Sequence, residues 1–223
     1  EVLDWSYKSV TSTLCSCLAT HAVLEFKYDQ KRKPIGKKHW GVFPHTVTKR
    51  NHPLVKGVNT RFDIPHSRFN EISESQFENS GSVVLAKSSI GVHLAVSPDL
   101  FRIVFFQGHP EYDSVSLLKE YKREVVLYLE KKRRDYPPFP NNYLSLQNQA
   151  ILMEYQSRLK NKELTIRDFP EILITTTLDN TWHDSASAII NNWIGCVYQV
   201  TNEDIQRPFM EGINPNNPLN LEK

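Results

Sequence analysis

Phe105-Phe106-Gln107-Gly108-His109-Pro110-Glu111-Tyr112-Asp113 is the stretch on which the fold turns. It closes an apolar run that begins at Phe101, and the run stops at a glycine. A histidine and a glutamate follow two residues apart, and a long amphipathic pattern begins directly afterwards. An apolar run bounded in this way predicts a strand over Phe101 to Gln107. In extended chain, residues i and i+2 point the same way, so His109 and Glu111 are expected to face one pocket. There the carboxylate would orient or charge-stabilise the imidazole, which is two-thirds of a nucleophile–histidine–acid arrangement. An ionisable pair at the end of a buried strand is costly unless it does something.

Downstream, Leu117, Leu118, Tyr121, Val125 and Leu129 form one apolar stripe, predicting a helix over Tyr112 to Lys132. Pro137-Pro138-Phe139-Pro140 ends that unit as a stiff loop. Further helices are expected over Gln147 to Leu159 and Trp182 to Tyr198. Upstream, Ser12 to Cys17 is β-compatible and Leu18 to Tyr28 has helical spacing, which makes a strand–turn–helix with a cysteine at the turn. Trp40 to Phe43, Val83 to Lys87 and Val92 to Val96 read as short strands. Residues 1 to 12 read as a short helix or loop, and Lys31 to Lys38 and His52 to His66 as loops. Strands alternating with helices predict an α/β domain with a largely parallel sheet flanked by helices. Functional groups gather at the carboxyl ends of such strands, where Cys17 and His109 both fall.

With 223 residues and 39% hydrophobic content, the chain can bury a sizeable core. Its 27 basic and 25 acidic residues are interspersed and leave a net charge of +2, so nothing argues for a nucleic-acid surface. The basic run Lys131 to Arg134 is expected to solvate a helix end. Three irregularly spaced cysteines argue against a disulfide framework and suit a reducing cytoplasm. No run approaches the ~20 apolar residues that span a membrane, and no signal peptide opens the chain. Glu1-Val2-Leu3-Asp4-Trp5 lacks an initiator methionine and enters an ordered pattern at once. The chain is therefore expected to be the C-terminal part of a longer protein.

A thiol where a strand turns into a helix has a lowered pKa, because the dipole and free N–H groups favour thiolate. The same N–H groups can hold an oxyanion. Cys17 sits at such a turn, following the logic of a nucleophile elbow without its glycines. The competing reading is a small buried hydrophobe, and Cys15 is the rival thiol, two residues back on the strand. His21, one turn into the helix, is a candidate supporting residue; His45 and His52 fall in loops. No His/Cys/Asp grouping has zinc spacing, so no metal site is expected. Lys37-Lys38 before a strand, Ser67 and Arg68 in a loop, and Arg123 within a helix each read alone as solvated surface. Together they suit an amino-acid substrate bearing a carboxylate.

These segments together resemble the homoserine O-succinyltransferase family, whose fold is class I glutamine-amidotransferase-like. The matching words are Lys38-His39-Trp40-Gly41-Val42-Phe43, His52-Pro53-Leu54, Pro65-His66-Ser67-Arg68, Gly108-His109-Pro110-Glu111-Tyr112-Asp113 with Glu120-Tyr121-Lys122-Arg123, Asn142-Tyr143, and Asn192-Trp193 with Val197-Tyr198-Gln199. The resemblance implies a three-layer α/β domain, with residues 1–206 as its C-terminal part; residues 207–223, rich in Asn and Pro, are expected to be a flexible tail. It implies Cys17 as acyl-thioester nucleophile, His109 as general base and Glu111 as its acidic partner. Lys38, Ser67 and Arg123 fall on substrate-binding positions. Arg123 lies eleven residues beyond Tyr112, roughly 16 Å along an ideal helix, so only the resemblance brings it to the pocket.

The implied activity is acyl transfer from succinyl-CoA, or acetyl-CoA, to the hydroxyl of L-homoserine in methionine biosynthesis. Acyl-CoA enters as co-substrate, no cofactor is implied, and a cytoplasmic homodimer is expected. A glutamine-hydrolysing amidotransferase and a non-catalytic metabolite-binding relative are the alternatives. One departure stands out: the family usually reads Cys-Trp-Gly-Ala-Gln-Ala at the nucleophile, and here the word is Cys17-Leu18-Ala19-Thr20-His21-Ala22.

Overall fold

The computed structural model describes residues 1–204 and 206–222. Six strands form one sheet: β1 (Thr13–Ser16), β2 (Lys33–Val47), β3 (Arg61–Glu71), β4 (Val83–Ser88), β5 (Gly91–Val96) and β6 (Ile103–Phe106). Their spatial order is β1-β6-β5-β4-β2-β3. Among the described residues seven α-helices accompany them: α1 (Val2–Ser9), α2 (Leu18–Tyr28), α3 (Glu74–Asn79), α4 (Ser116–Leu129), α5 (Leu146–Lys160), α6 (Glu171–Thr175) and α7 (His183–Val200).

The run that opened the reading sits inside the sheet. All four residues of β6 are buried, and their alternation sends them into two different cores. Val104 and Phe106 join Leu117, Tyr121, Leu152 and Trp182 from the later helices. Ile103 and Phe105 join Val23, Leu24 and Phe77 from α2 and α3. A strand covered on both faces needs apolar residues at every position, which is why this segment reads as a continuous run. The α/β class and the helix-flanked sheet therefore follow from one short strand.

A largely parallel sheet was expected, and here the structure differs. Only β1 and β6 pair in parallel; the pairings β2–β3, β2–β4, β4–β5 and β5–β6 are antiparallel. The reason is connection length. Parallel neighbours need a crossover of a dozen or more residues, whereas only Ser89 and Ile90 separate β4 from β5 and only residues 97–102 separate β5 from β6. Most of the helical mass comes after β6 instead of between strands.

Two expected loops are also strands. Lys33 onward belongs to β2, and Arg61 to Glu71 forms the edge strand β3. Pro34 with Gly36, and Pro65, obscured them, since proline is confined to edges and irregular positions of sheets. Both conditions hold: Pro65 lies on the edge strand, and Pro34 borders the irregular stretch of the β2–β3 register. Gly41 permits a further approach. Its φ is +139°, and an added Cβ would lie 2.2 Å from the Asn141 carbonyl oxygen, so the loop after α4 lies directly on β2. The segment after Arg207, expected as a loose tail, contributes Phe209 to a cluster with Phe101, Cys196 and Val200.

Beneath the sheet's end lie three fully buried histidines, His45, His66 and His93. The His45 and His66 rings stack at 5.0 Å, and both nitrogens of His93 lack a partner. Burial pushes the His45 pKa down to about 4, and burial followed by the neighbouring imidazoles pushes His66 and His93 well below their ordinary value. A depressed folded-state pKa means that stability from these groups is present above the unfolded value, ~6.5, and is lost as pH falls through the folded values. The melting temperature is therefore expected to fall steeply between about pH 6.5 and 4. His93→Leu should raise stability at pH 7 by roughly 1 kcal/mol, because it removes an unsatisfied buried group, and should flatten that acid limb. Denaturant melts of both proteins at pH 7 and pH 5 check both effects.

Candidate active site

The parallel pair β1–β6 places two chain ends side by side. Ser16 stands opposite Phe106 in the register, and the Cys17 amide extends the ladder with a 2.8 Å bond to the Phe106 carbonyl. Cys17 then turns sharply, at φ 47° and ψ −106°, and α2 starts at Leu18. A side chain held in so sparsely populated a conformation is a mark of functional sites. Thr20 fastens the turn, its Oγ1 lying 2.9 Å from the Cys15 carbonyl and 2.8 Å from that of Phe106. The first amides of α2, at Leu18 and Ala19, have no acceptor inside the helix and point toward the turn.

The two cysteines separate cleanly. Cys15 is buried in the core shared with Val23 and Phe105, and burial pushes its thiol up to about 11. Cys17 is partly exposed at the strand end and faces His109, whose proton it helps to hold. His109 donates from Nδ1 to Glu111 Oε1 at 2.8 Å. Cys17, His109 and Glu111 thus fall in one line, with the imidazole hydrogen-bonded to the carboxylate. Burial works against a charged His109, but the bonds to Cys17 and Glu111 outweigh it and raise the pKa to about 9. Burial likewise works against the Glu111 carboxylate, and its bond to His109 holds it below the usual range.

Three residues that the sequence reading did not single out complete the arrangement. Ser16 Oγ lies 3.1 and 3.2 Å from the two Glu111 carboxylate oxygens and donates to them. Tyr112 stacks on the His109 ring at 4.2 Å, and the Trp182 indole fixes its backbone with a 2.7 Å bond to the carbonyl. Glu120, on α4, accepts 2.6 Å bonds from the Tyr112 hydroxyl and from Ser67 Oγ. The Lys38 ammonium lies 3.4 Å from the same carboxylate. Burial opposes the Glu120 charge, and these donors hold its carboxyl below the usual range. A cavity of about 550 Å³ opens beside Glu111, bounded by Ser16, Tyr112 and Trp182.

Such a line of thiol, imidazole and carboxylate is equipped for nucleophilic acyl chemistry. A family model described as homoserine O-succinyltransferase matches residues 1–203. The chain belongs to the homoserine O-succinyltransferase family. It is 62% identical to the homoserine O-succinyltransferase of Nitrosococcus oceani, an alignment covering 100% of this chain and 63% of that protein. With the same-named protein of Thioalkalivibrio nitratireducens the identity is 57%, over 99% of this chain and 63% of that one. The chain thus spans about 63% of the length of these curated relatives. Among solved structures it is similar to a Thermotoga maritima glutamine amidotransferase, at 11% identity and TM-score 0.43, over 81% of this chain and 60% of that one. That likeness carries no argument about the chemistry.

Of the six residues that resemblance to the homoserine O-succinyltransferase family singled out, five fall into one connected group. Cys17, His109 and Glu111 form the line, and Lys38 and Ser67 reach it through Glu120 and Tyr112. Arg123 stands outside these contacts. Its side chain is 63% exposed, and its nearest carboxylate is Glu124 at 3.8 Å, one turn along α4 from Glu120. Lys38 and Ser67 lie on β2 and β3, not in the loops expected for them. His21 is buried on α2 and bonds the Gln107 side chain at 3.1 Å. Among the described residues no group of three His, Cys, Asp or Glu side chains is disposed to hold a metal ion.

Gly108 is the hinge of the arrangement. A Cβ there would lie 2.4 Å from Ile64 Cγ2 and 2.8 Å from His66 Nε2, so the strand end carrying His109 fits only as glycine. Gly108→Ala should cost roughly 1–3 kcal/mol and displace the imidazole, which denaturant melts and NMR of His109 can follow together. A second expectation concerns charge. The folded pKa of His109 is above its ordinary value, so the stability of this line is present at and below about pH 6.5 and is lost as pH rises through about 9. Cys17→Ala should lower the His109 titration midpoint, read by NMR, because it removes one of the bonds that raise it.

Proposed function

We propose that the protein is a homoserine O-acyltransferase that moves a succinyl group from succinyl-CoA to the γ-hydroxyl of L-homoserine through a Cys17 thioester, in methionine biosynthesis. The observation that carries this reading is the hydrogen-bonded pair His109–Glu111 beside Cys17 at the carboxyl end of a parallel strand pair. Membership in the family, together with homologues bearing that name, supports succinyl over acetyl as the group moved.

The reaction starts as His109 takes the Cys17 proton and frees the sulfur as nucleophile. The sulfur attacks the thioester carbonyl, and the amides of Leu18 and Ala19 are the candidate donors for the oxyanion. When the tetrahedral adduct collapses, the carbon–sulfur bond to CoA breaks and His109 gives its proton to the departing CoA thiolate. Acylation removes the Cys17 partner that helped to hold the proton on His109. The neutral imidazole, still oriented by Glu111, then takes the γ-hydroxyl proton as that oxygen attacks the Cys17 thioester. Collapse of the second adduct releases O-succinylhomoserine, and His109 returns the proton to the Cys17 sulfur. One histidine thus serves as acid in the first half and base in the second.

Lys38, Ser67 and Glu120 supply a cation, a hydroxyl and a carboxylate beside the Tyr112–His109 stack. This polarity suits an amino-acid zwitterion, with Arg123 available to its carboxylate once the side chain swings from solvent. The scheme needs no cofactor beyond acyl-CoA as co-substrate. We assign the enzyme to the cytoplasm as a homodimer; no helix among the described residues is long and apolar enough to cross a membrane.

Intact-protein mass after mixing with succinyl-CoA tests the reading. An adduct of one succinyl group is expected, present in Cys15→Ala and absent in Cys17→Ala; the reverse pattern would refute it. In a CoA-release assay with homoserine, His109→Ala should lower kcat by about 10²–10⁴ without loss of fold. Glutamine, acetyl-CoA and serine serve as the alternative substrates in the same assay.

A further inference from the structure

Beside Lys38 lies a second cavity, of about 250 Å³. Its walls are Lys37, Lys38, Trp40, Phe69, Arg133 and Phe139. Three are cations and three are aromatic. Phe69 is 61% exposed despite its size. Lys37 has no ion-pair partner among the described residues, and Glu124, the one carboxylate of the lining, is already engaged by Arg133 at 2.8 Å. The Trp40 indole N–H is buried without an acceptor.

Sheet geometry explains how these groups come together. The β2–β3 register pairs Pro34 with Asn70 but His39 with Arg68. Five steps along β2 therefore answer two along β3, and the surplus backbone bulges out with Lys37 and Lys38 on it. Bulges re-aim side chains and recur beside active sites. The cavity is also wired to the chemistry. Lys38 lies 3.4 Å from Glu120, Glu120 accepts from Tyr112 at 2.6 Å, and Tyr112 stacks on His109 at 4.2 Å.

We propose that this cavity binds the phosphorylated adenosine end of the acyl-CoA donor, with the base stacked on Phe69 and the phosphates held by Lys37 and Arg133. An aromatic face with adjacent cations is the chemistry by which proteins hold a nucleotide of any sequence. Compact ammonium groups suit phosphate, and a planar guanidinium adds a fork. The long, flexible pantetheine arm would then run past Lys38 to place the thioester at Cys17. This assignment rests on the acyl-CoA reading above.

Calorimetric titration of adenosine 3′,5′-bisphosphate into the protein tests the cavity without any turnover. Saturable binding is expected, weakened roughly tenfold or more in Phe69→Ala and by a similar factor in Lys37→Glu. Both positions are exposed, so neither change threatens the core. No binding by the unaltered protein, or equal binding by the variants, overturns the assignment. So does inorganic phosphate binding as tightly as the bisphosphate, which would mark a plain anion site.

Steady-state kinetics supply the second arm. The same variants should raise KM for succinyl-CoA about tenfold and leave KM for succinyl-N-acetylcysteamine, which lacks the nucleotide, where it was. An equal rise with both donors overturns the proposal. Failure of either thioester to acylate Cys17 would instead strike the acyl-transfer reading, and the bisphosphate titration would still judge the cavity.

Discussion

The parallel pairing of Thr13–Ser16 with Ile103–Phe106 is the constraint on which the site depends. It brings the carboxyl ends of two strands to one level, and a single further bond, Cys17 amide to Phe106 carbonyl, sets the nucleophile beside the loop that carries the histidine. The two strands are unequal partners. β6 is buried on both faces and lies between β1 and β5, so close packing leaves it little room to shift. β1 has four residues and lies at the sheet edge. Its register is borrowed from β6 and secured by Thr20, which reaches both backbones at once. A slip of one residue would reverse the faces of β1, sending Cys15 out of the core and Cys17 away from His109.

Two carboxylates flank His109 and differ in task because they differ in partners. Glu111 bonds the imidazole directly, and its other contacts come from Ser16. Glu120 is satisfied by Ser67, Tyr112 and Lys38 and never touches the imidazole. Tyr112 joins them: its ring lies on His109 and its hydroxyl on Glu120. A change in the charge around Glu120, such as an ammonium group arriving there, therefore reaches the imidazole through one rigid aromatic side chain whose backbone Trp182 holds.

Much of this was legible in the chain, because the relevant signals are local. The apolar run ending in glycine located β6, and the i, i+2 spacing of His109 and Glu111 survives as a 2.8 Å bond. The stripe from Leu117 to Val125 located α4. What stayed hidden depends on contacts between distant segments. Pro34 and Pro65 made the start of β2 and β3 resemble loops, since the edge or irregular position that tolerates them is a property of the whole sheet. The antiparallel majority followed from connection lengths that became visible only once the strand ends were known. Glu120 lay inside a quoted word yet drew no role, because its partners come from β2, β3 and the loop after β6. Ser16 was hidden for the same reason: only the parallel register puts it opposite Phe106 and so within reach of Glu111.

The buried histidines give the site its electrostatic background. His66 touches the place where a Gly108 Cβ would sit, so His45, His66 and His93 lie directly behind the residue that presents His109. All three are held neutral by burial, while His109, burdened by the same desolvation, is held charged. The difference lies in partners, since only His109 has a thiol on one side and a carboxylate on the other. Charge on any of the three would repel the imidazolium, because like charges at short range disfavour each other's ionised form. Neutral rings provide a polarisable, well-packed support that adds no positive charge. The neutrality of the core behind Gly108 is therefore part of what keeps the proton on His109, and it ties the ionisation of the site to the integrity of the sheet that buries those rings.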